Sequence, residues 1–246
     1  MARISVLEDD LELDSPFLVE GLPGIGLVGK IAADHLVETF EMVHYANVHC
    51  EGIPPVVRYI EDDPQLSTPV RIYADPGRDL LVLQSDVPIA PSAAIEFADC
   101  LSGWFDDRGV TPVYLSGRPD NKGPAPPSVY GIAAGEGGAH LERVGMDAPT
   151  ERGLVSGPTG ALLSHAVEHG VTAVGFVVES DPQFPDPESA RALLTHGIGP
   201  LADVEVPTDE LVDRADEIQR AKEQLALRMQ DLEEESTEAH PLRMYQ

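Results

Sequence analysis

Short apolar runs alternate along this chain with longer stretches in which apolar residues recur every three or four positions. RISVLE (3–8) and PFLVEG (16–21) read as strands. From Ile25 to Phe40, the positions Leu27, Val28, Ile31, Ala32, Leu36 and Val37 fall close to helical period. MVHYANVHC (42–50), VVRYIE (56–61), VRIYAD (70–75) and DLLVLQSDV (79–87) are predicted strands, with turn signals at Asp63-Pro64 and Pro76-Gly77. Pro91 opens a helix that Gly109 stops, and TPVYLSG (111–117) is the next strand. GRPDNKGPAPPS (117–128) has the composition of an exposed loop. VYGIAA (129–134) and GLVSG (153–157) read as short strands, and Pro158 opens a helix ending at Gly170. VTAVGFVVES (171–180) is nearly all apolar, as expected of a central parallel strand covered on both faces. A last helix of this region starts near Pro187. The alternation predicts a layered α/β domain over residues 1–206.

The pattern then changes. After Pro207 there is neither Gly nor Pro until about Ser236, Thr208 is placed to cap a helix, and Asp209 and Glu210 suit its positive end. Leu211, Ala215, Ile218, Lys222, Leu225, Met229 and Leu232 step by four and three, a heptad seam with one polar member. The predicted 207–235 helix either lies along its own domain or pairs with a second copy in a coiled coil. Residues 236–246 read as a polar, flexible tail.

Charge alters this picture more than any other compositional feature. The 246 residues hold 43 acids against 16 lysines and arginines, a net charge of −27. The acids are spread along the chain and only Lys30, Lys122 and Lys222 are lysines, which points to a protein adapted to molar salt, where screening removes self-repulsion. A nucleic-acid partner is excluded, because phosphates require a basic face. Cys50 and Cys100 have no metal or redox spacing and read as small buried hydrophobes in a reducing, cytoplasmic setting. MARISVLEDD turns acidic at once, against a signal peptide, and no apolar run approaches the roughly 20 residues of a membrane helix.

The stretch GLPGIGLVGKIAADHL (21–36) carries two nucleotide fingerprints at once. Gly24 to Lys30 spell G-x-x-x-x-G-K, but the next residue is Ile31 where a P-loop needs Ser or Thr for magnesium. Gly24, Gly26 and Gly29 spell G-x-G-x-x-G after a strand, with Glu51 near the spacing of a ribose-binding acid. Geometry alone also explains the glycines, which permit a sharp turn and close packing of helix on sheet. No role follows for Lys30. A second candidate cluster is His165, Glu168 and His169 on one helix, with Glu179 and Asp181 at the end of the next strand, but it lacks the motif of a metalloprotease.

The same glycine stretch, EGLPGIGLVGKIAADHLV (20–37), resembles the signature of the proteasome assembly chaperone family in its archaeal branch. LLVLQSDVPI with the helix around Glu96-Phe97-Ala98, SGPTGALLSHAVEHGVTAVGFVVES, and DPQFPDPESARALL resemble its later blocks in order. Pro158-Thr159 and Ser164-His165 depart from the family's usual residues. The resemblance implies a three-layer α/β/α sandwich of the phosphorylase/hydrolase type with a long C-terminal helix. It implies no catalysis, no cofactor and no metal, and ATP-independent binding to proteasome α subunits, as a homo-oligomer. On this reading Gly21, Pro23, Gly24, Gly26 and Gly29 form a structural turn. Met244-Tyr245-Gln246 resembles the hydrophobic–Tyr–any tail by which such chaperones and activators dock between α subunits. Two other classes remain open: an enzyme on a phosphorylase/hydrolase fold, and a nucleotide-responsive adaptor using Gly24–Lys30.

Overall fold

The computed structural model describes residues 3–8, 10–61, 63–119, 126–211 and 213. The strands are β1 (Arg3–Val6), β2 (Phe17–Gly21), β3 (Val43–His49), β4 (Arg58–Ile60), β5 (Asp63–Ser67), β6 (Val70–Asp75), β7 (Leu80–Ser85), β8 (Thr111–Pro119), β9 (Val129–Ala134) and β10 (Ala173–Ser180). The helices are α1 (Val28–Thr39), α2 (Ala94–Arg108), α3 (Gly137–Arg143), α4 (Gly157–His169), α5 (Pro187–Ala192) and α6 (Gly199–Ala202), with a π-helical stretch, Leu193–Ile198, joining the last two.

Eight strands form one mixed sheet in the order β1-β3-β6-β7-β2-β8-β10-β9. β7, β2, β8 and β10 run parallel to one another, while β1, β3, β6 and β7 pair antiparallel in sequence and β9 closes the far edge antiparallel to β10. Side chains alternate across a strand, so each central strand feeds two cores. Leu18, Leu81, Leu83 and Tyr114 face α2 and α4 and pack with Phe97, Leu101, Phe105 and Leu162. Val19, Leu80, Val82, Val113 and Phe176 face the opposite layer, where α1, α3, the π-helical stretch and α6 supply Val28, Leu36, Leu141, Leu193 and Leu201. The result is the expected three-layer α/β/α arrangement. Each fully buried Leu or Phe contributes about 2 kcal/mol of burial free energy.

Several elements depart from the sequence pattern. β10 has one parallel and one antiparallel neighbour rather than lying between parallel strands; its apolar run is explained by helices on both faces. GLVSG forms no strand: residues 152–156 are irregular, and Gly157 begins α4. α3 and β5 arise where no element is expected. β4 and β5 form a separate hairpin that presents Val57, Tyr59 and Leu66 to solvent.

The cysteines also require correction. Cys50, just beyond β3, is joined to Cys100 on α2 by a disulfide, with Cα atoms 6.1 Å apart. They are a staple between sheet and helix rather than free thiols. Sequence separation hid the pairing, because only folding of α2 over β3 brings the two together. Among the described residues no helix is long and apolar enough to cross a membrane.

Of the predicted 207–235 helix, residues 207–211 and 213 are described, and 209–211 and 213 are helical. Leu211 is completely buried in the core cluster that also holds Val28, Leu36 and Leu201, so the first member of the heptad seam packs within its own domain. Ala215, Ile218, Leu225, Met229 and Leu232 lie outside the described residues, as do Met244, Tyr245 and Gln246.

Candidate functional site

β2 ends at the centre of the sheet, and the glycine turn carries the chain from it into α1. The turn is not uniformly demanding. A Cβ on Gly21 would lie 2.3 Å from Ala33 Cβ and 2.8 Å from the Leu83 carbonyl oxygen, so α1 sits directly on the strand there. Gly26 has φ +61°, and its Cβ would lie 2.0 Å from Ser180 Oγ. The Gly26 carbonyl accepts the Asp186 N–H at 2.8 Å, which fastens the turn to the loop before α5. At Gly29 a Cβ would meet its neighbours at ordinary contact distance, and at Gly24 it would meet nothing within 4 Å. Pro23 lies beside Gly24 at a partly buried position. A short 3-10 turn, Ile25–Leu27, precedes α1, so the helix starts three residues later than its apolar period suggests.

This geometry accounts for Gly21 and Gly26 by packing and places no steric demand on Gly24 or Gly29. It also separates the turn from the dinucleotide pattern. β3 runs in the same direction as β2 but lies beyond β7 and β6. At about 4.8 Å per strand step, Glu51 at the end of β3 stands roughly 14 Å away across the sheet, not on an adjacent strand.

Lys30, whose role the sequence left open, is part of an ion network. Its Nζ lies 2.9 Å from Asp34 Oδ2 and 3.3 Å from Asp86 Oδ1. Asp86 Oδ2 also meets Arg71 Nη2 at 2.7 Å and Arg58 Nε at 3.3 Å. Arg71 is wholly buried and donates further to the Gln84 side chain and the Thr68 carbonyl. Gln84 Nε2 donates to Asp34 at 2.9 Å. Partial burial disfavours the charged form of Asp86, but the hydrogen bond from Arg71 and the charges of Arg71 and Lys30 outweigh it and hold the carboxyl below its usual range. The Lys therefore ties α1 to the end of β7, and Arg58 ties the hairpin to the same carboxylate.

Glu20 is a buried carboxyl that sequence reasoning passed over. It is 1% exposed and faces α4, on the same side of β2 as Leu18. Leu115 N–H donates to its Oε2 at 3.2 Å, and Thr159 Oγ1 donates to its Oε1 at 3.0 Å. Burial pushes its pKa up from 4.5 to about 7, against the opposing pull of the hydrogen bonds from Leu115, Thr159 and Leu22. The signal was present in PFLVEG, because alternation from Leu18 puts this acid on an inward face.

On the other flank of the turn a cavity of about 400 Å³ opens at the carboxyl ends of β2 and β8. Leu22, Pro23, Gly24 and Ile25 form one side, Leu115 to Pro119 and Tyr130 another, and residues 149–159 cover it. Arg118 projects from β8 into this lining. It pairs with Glu179 Oε1 at 2.8 Å and with Glu151 Oε2 at 2.9 Å.

The histidine group does not assemble into one site. His165 and His169 stack with ring centroids 4.1 Å apart, His165 lies 3.7 Å from Asp99 on α2, and Ser164 donates to Glu168. Glu179 instead serves Arg118, and Asp181 accepts the Gln183 and Phe184 N–H groups. Among the described residues no group of three or more His, Cys, Asp or Glu is arranged to hold a metal ion.

Comparison with known proteins extends the local geometry. The family model described as the PAC2 family matches residues 18–226. Proteasome assembly chaperone 2 of Danio rerio is 32% identical over 91 residues, covering 35% of each chain. The crystal structure of Pyrococcus furiosus PbaA, an archaeal homologue of proteasome-assembly chaperone, superposes with a TM-score of 0.77 at 22% identity, covering 95% of this chain and 100% of that one. That of Pyrococcus furiosus PbaB, an archaeal proteasome activator, gives a TM-score of 0.76 at 21% identity, covering 92% of this chain and 98% of the other.

Proposed function

The chain belongs to the PAC2 family, the family of proteasome assembly chaperones, and from that premise we propose that it is an ATP-independent chaperone that binds proteasome α subunits through its final residues, Met244-Tyr245-Gln246. The observation that carries the reading is the conjunction of the family match over residues 18–226 with a hydrophobic–Tyr–any ending on the same chain. The recognition chemistry is simple. The Met side chain and Tyr ring fill an apolar pocket on the partner, the phenol finds a polar group, and the terminal carboxylate meets a cation. Such an anchor is weak alone. Several tails on a homo-oligomer raise one another's effective concentration and make it sufficient. In this arrangement the glycine turn is structural, and neither nucleotide nor metal takes part.

The test compares the full chain with a chain ending at Arg243 for binding to assembled α rings, in molar potassium chloride to suit the acidic surface. Loss of the three residues is expected to weaken binding at least tenfold. Equal binding by both chains defeats the tail mechanism and moves the interface to the folded body. No binding by either removes the chaperone reading itself. The likeness to Pyrococcus furiosus PbaB, an archaeal proteasome activator, favours one second reading, that the mature particle is also bound and opened. Peptide hydrolysis by closed core particles, with and without the full chain, separates activation from assembly.

A further inference from the structure

The cavity beside the glycine turn takes no part in the tail mechanism, yet its construction is specific. Its charged lining residues are Arg118, Arg152 and Glu151, with Glu179 paired to Arg118 from β10, so two cations gather at one wall in a chain whose net charge is −27. The rest of the lining is largely apolar: Leu22, Pro23, Ile25, Val28, Ile132 and Val177. A volume of about 400 Å³ lies in the range of small-molecule sites, where an apolar enclosure holds the ligand body and a few polar groups orient it.

We propose that this cavity binds a small carboxylic acid with a compact apolar body, its carboxylate on Arg118 and its body against the glycine turn and Ile132. Two carboxylates among the described residues pair with Arg118, and they differ in standing. Glu179 comes from β10, and its side chain is 22% exposed; Glu151 comes from the covering segment, and its side chain is 73% exposed. An ion pair so exposed contributes little to stability, so its replacement costs little. A ligand carboxylate takes the place of Glu151 on the guanidinium, which offers paired N–H groups suited to a carboxylate. Glu151 occupies in the unliganded chain the position that the ligand's head group takes, and Arg152 adds positive charge at the same wall.

The test titrates 3-phenylpropanoate and, as a comparator with the same body and no charge, 3-phenylpropanol, following backbone amide shifts of Gly24, Ile132 and Gly153 in molar salt. Saturable shifts with the acid, at least tenfold tighter than with the alcohol, are expected. Glu151→Gln removes the competing carboxylate at an exposed position that does not threaten folding, and should tighten the acid at least threefold. Arg118→Met should weaken the acid at least tenfold and leave the alcohol within twofold. Absence of saturable shifts in both the wild type and Glu151→Gln overturns the proposal. So does equal binding of acid and alcohol, or an unchanged acid affinity in Glu151→Gln.

Discussion

The two flanks of the glycine turn are built on opposite principles. On the Lys30 flank, charged groups are tied to one another: Lys30, Arg58 and Arg71 converge on Asp86, and Gln84 bridges Arg71 to Asp34. On the Arg118 flank a cavity of about 400 Å³ is left, lined by apolar residues together with Arg118, Glu151 and Arg152. One short segment thus serves as packed support on one side and as a wall on the other. The difference shows that a glycine-rich strand-to-helix turn is not one feature. Each glycine answers to whatever the fold sets opposite it.

The sharpest way to break the comparison is within the turn. Gly26→Ala forces a Cβ against Ser180 Oγ at a left-handed backbone position, and should cost about 3–4 kcal/mol from strain and overpacking together. Gly24→Ala, where a Cβ meets nothing within 4 Å, should change stability by less than about 0.5 kcal/mol. Denaturant unfolding of both variants measures the contrast; equal effects would remove the distinction.

Glu20, beneath the turn, yields the next effect. The folded carboxyl keeps its proton up to about pH 7, while the unfolded one releases it near 4.5. The folded state therefore holds the extra proton between those values, and stability falls as pH rises through that window. The loss is about 3 kcal/mol. Glu20→Gln should flatten the slope between pH 4.5 and 7, as read from unfolding midpoints across that range; an unchanged slope means Glu20 is not its source.

A smaller effect tests the ion network. Asp86→Ala leaves the buried Arg71 with neutral acceptors, the Gln84 side chain, the Thr68 carbonyl and the Tyr73 hydroxyl, and should cost about 2 kcal/mol. Lys30→Met removes a partly exposed partner and should cost about 0.5 kcal/mol. Since Asp86 has a lowered pKa, its contribution is fully present above the usual carboxylate range and fades as pH falls through the folded value. Thermal unfolding of the two variants ranks them.

These particulars also show what the amino-acid sequence could convey. Strands such as VRIYAD and VYGIAA are legible because alternation and turn residues are local, and their observed bounds match. α3 is not legible: it opens with Gly137-Gly138, poor helix formers, and forms where Gly137 fits against the Ala173 carbonyl. Lys30 could be seen but not understood, because Asp86 joins it from 56 residues away. Which glycines the turn requires depends on Ala33 and Ser180, one nearby in sequence and one far. The cavity draws on segments around 22–29, 115–119, 130–132 and 149–159, which no local pattern links.

The bond between Cys50 and Cys100 makes a closed loop of the chain. β4 to β7 and the first turns of α2 lie inside that loop, including Arg58, Arg71, Gln84 and Asp86. In the chain-entropy account, closing a loop of this length removes about 4 kcal/mol of freedom from the unfolded state. The ring also has a topological consequence. A backbone cut anywhere between residues 51 and 99 leaves the two fragments covalently joined, so the chain keeps its mass until it is reduced.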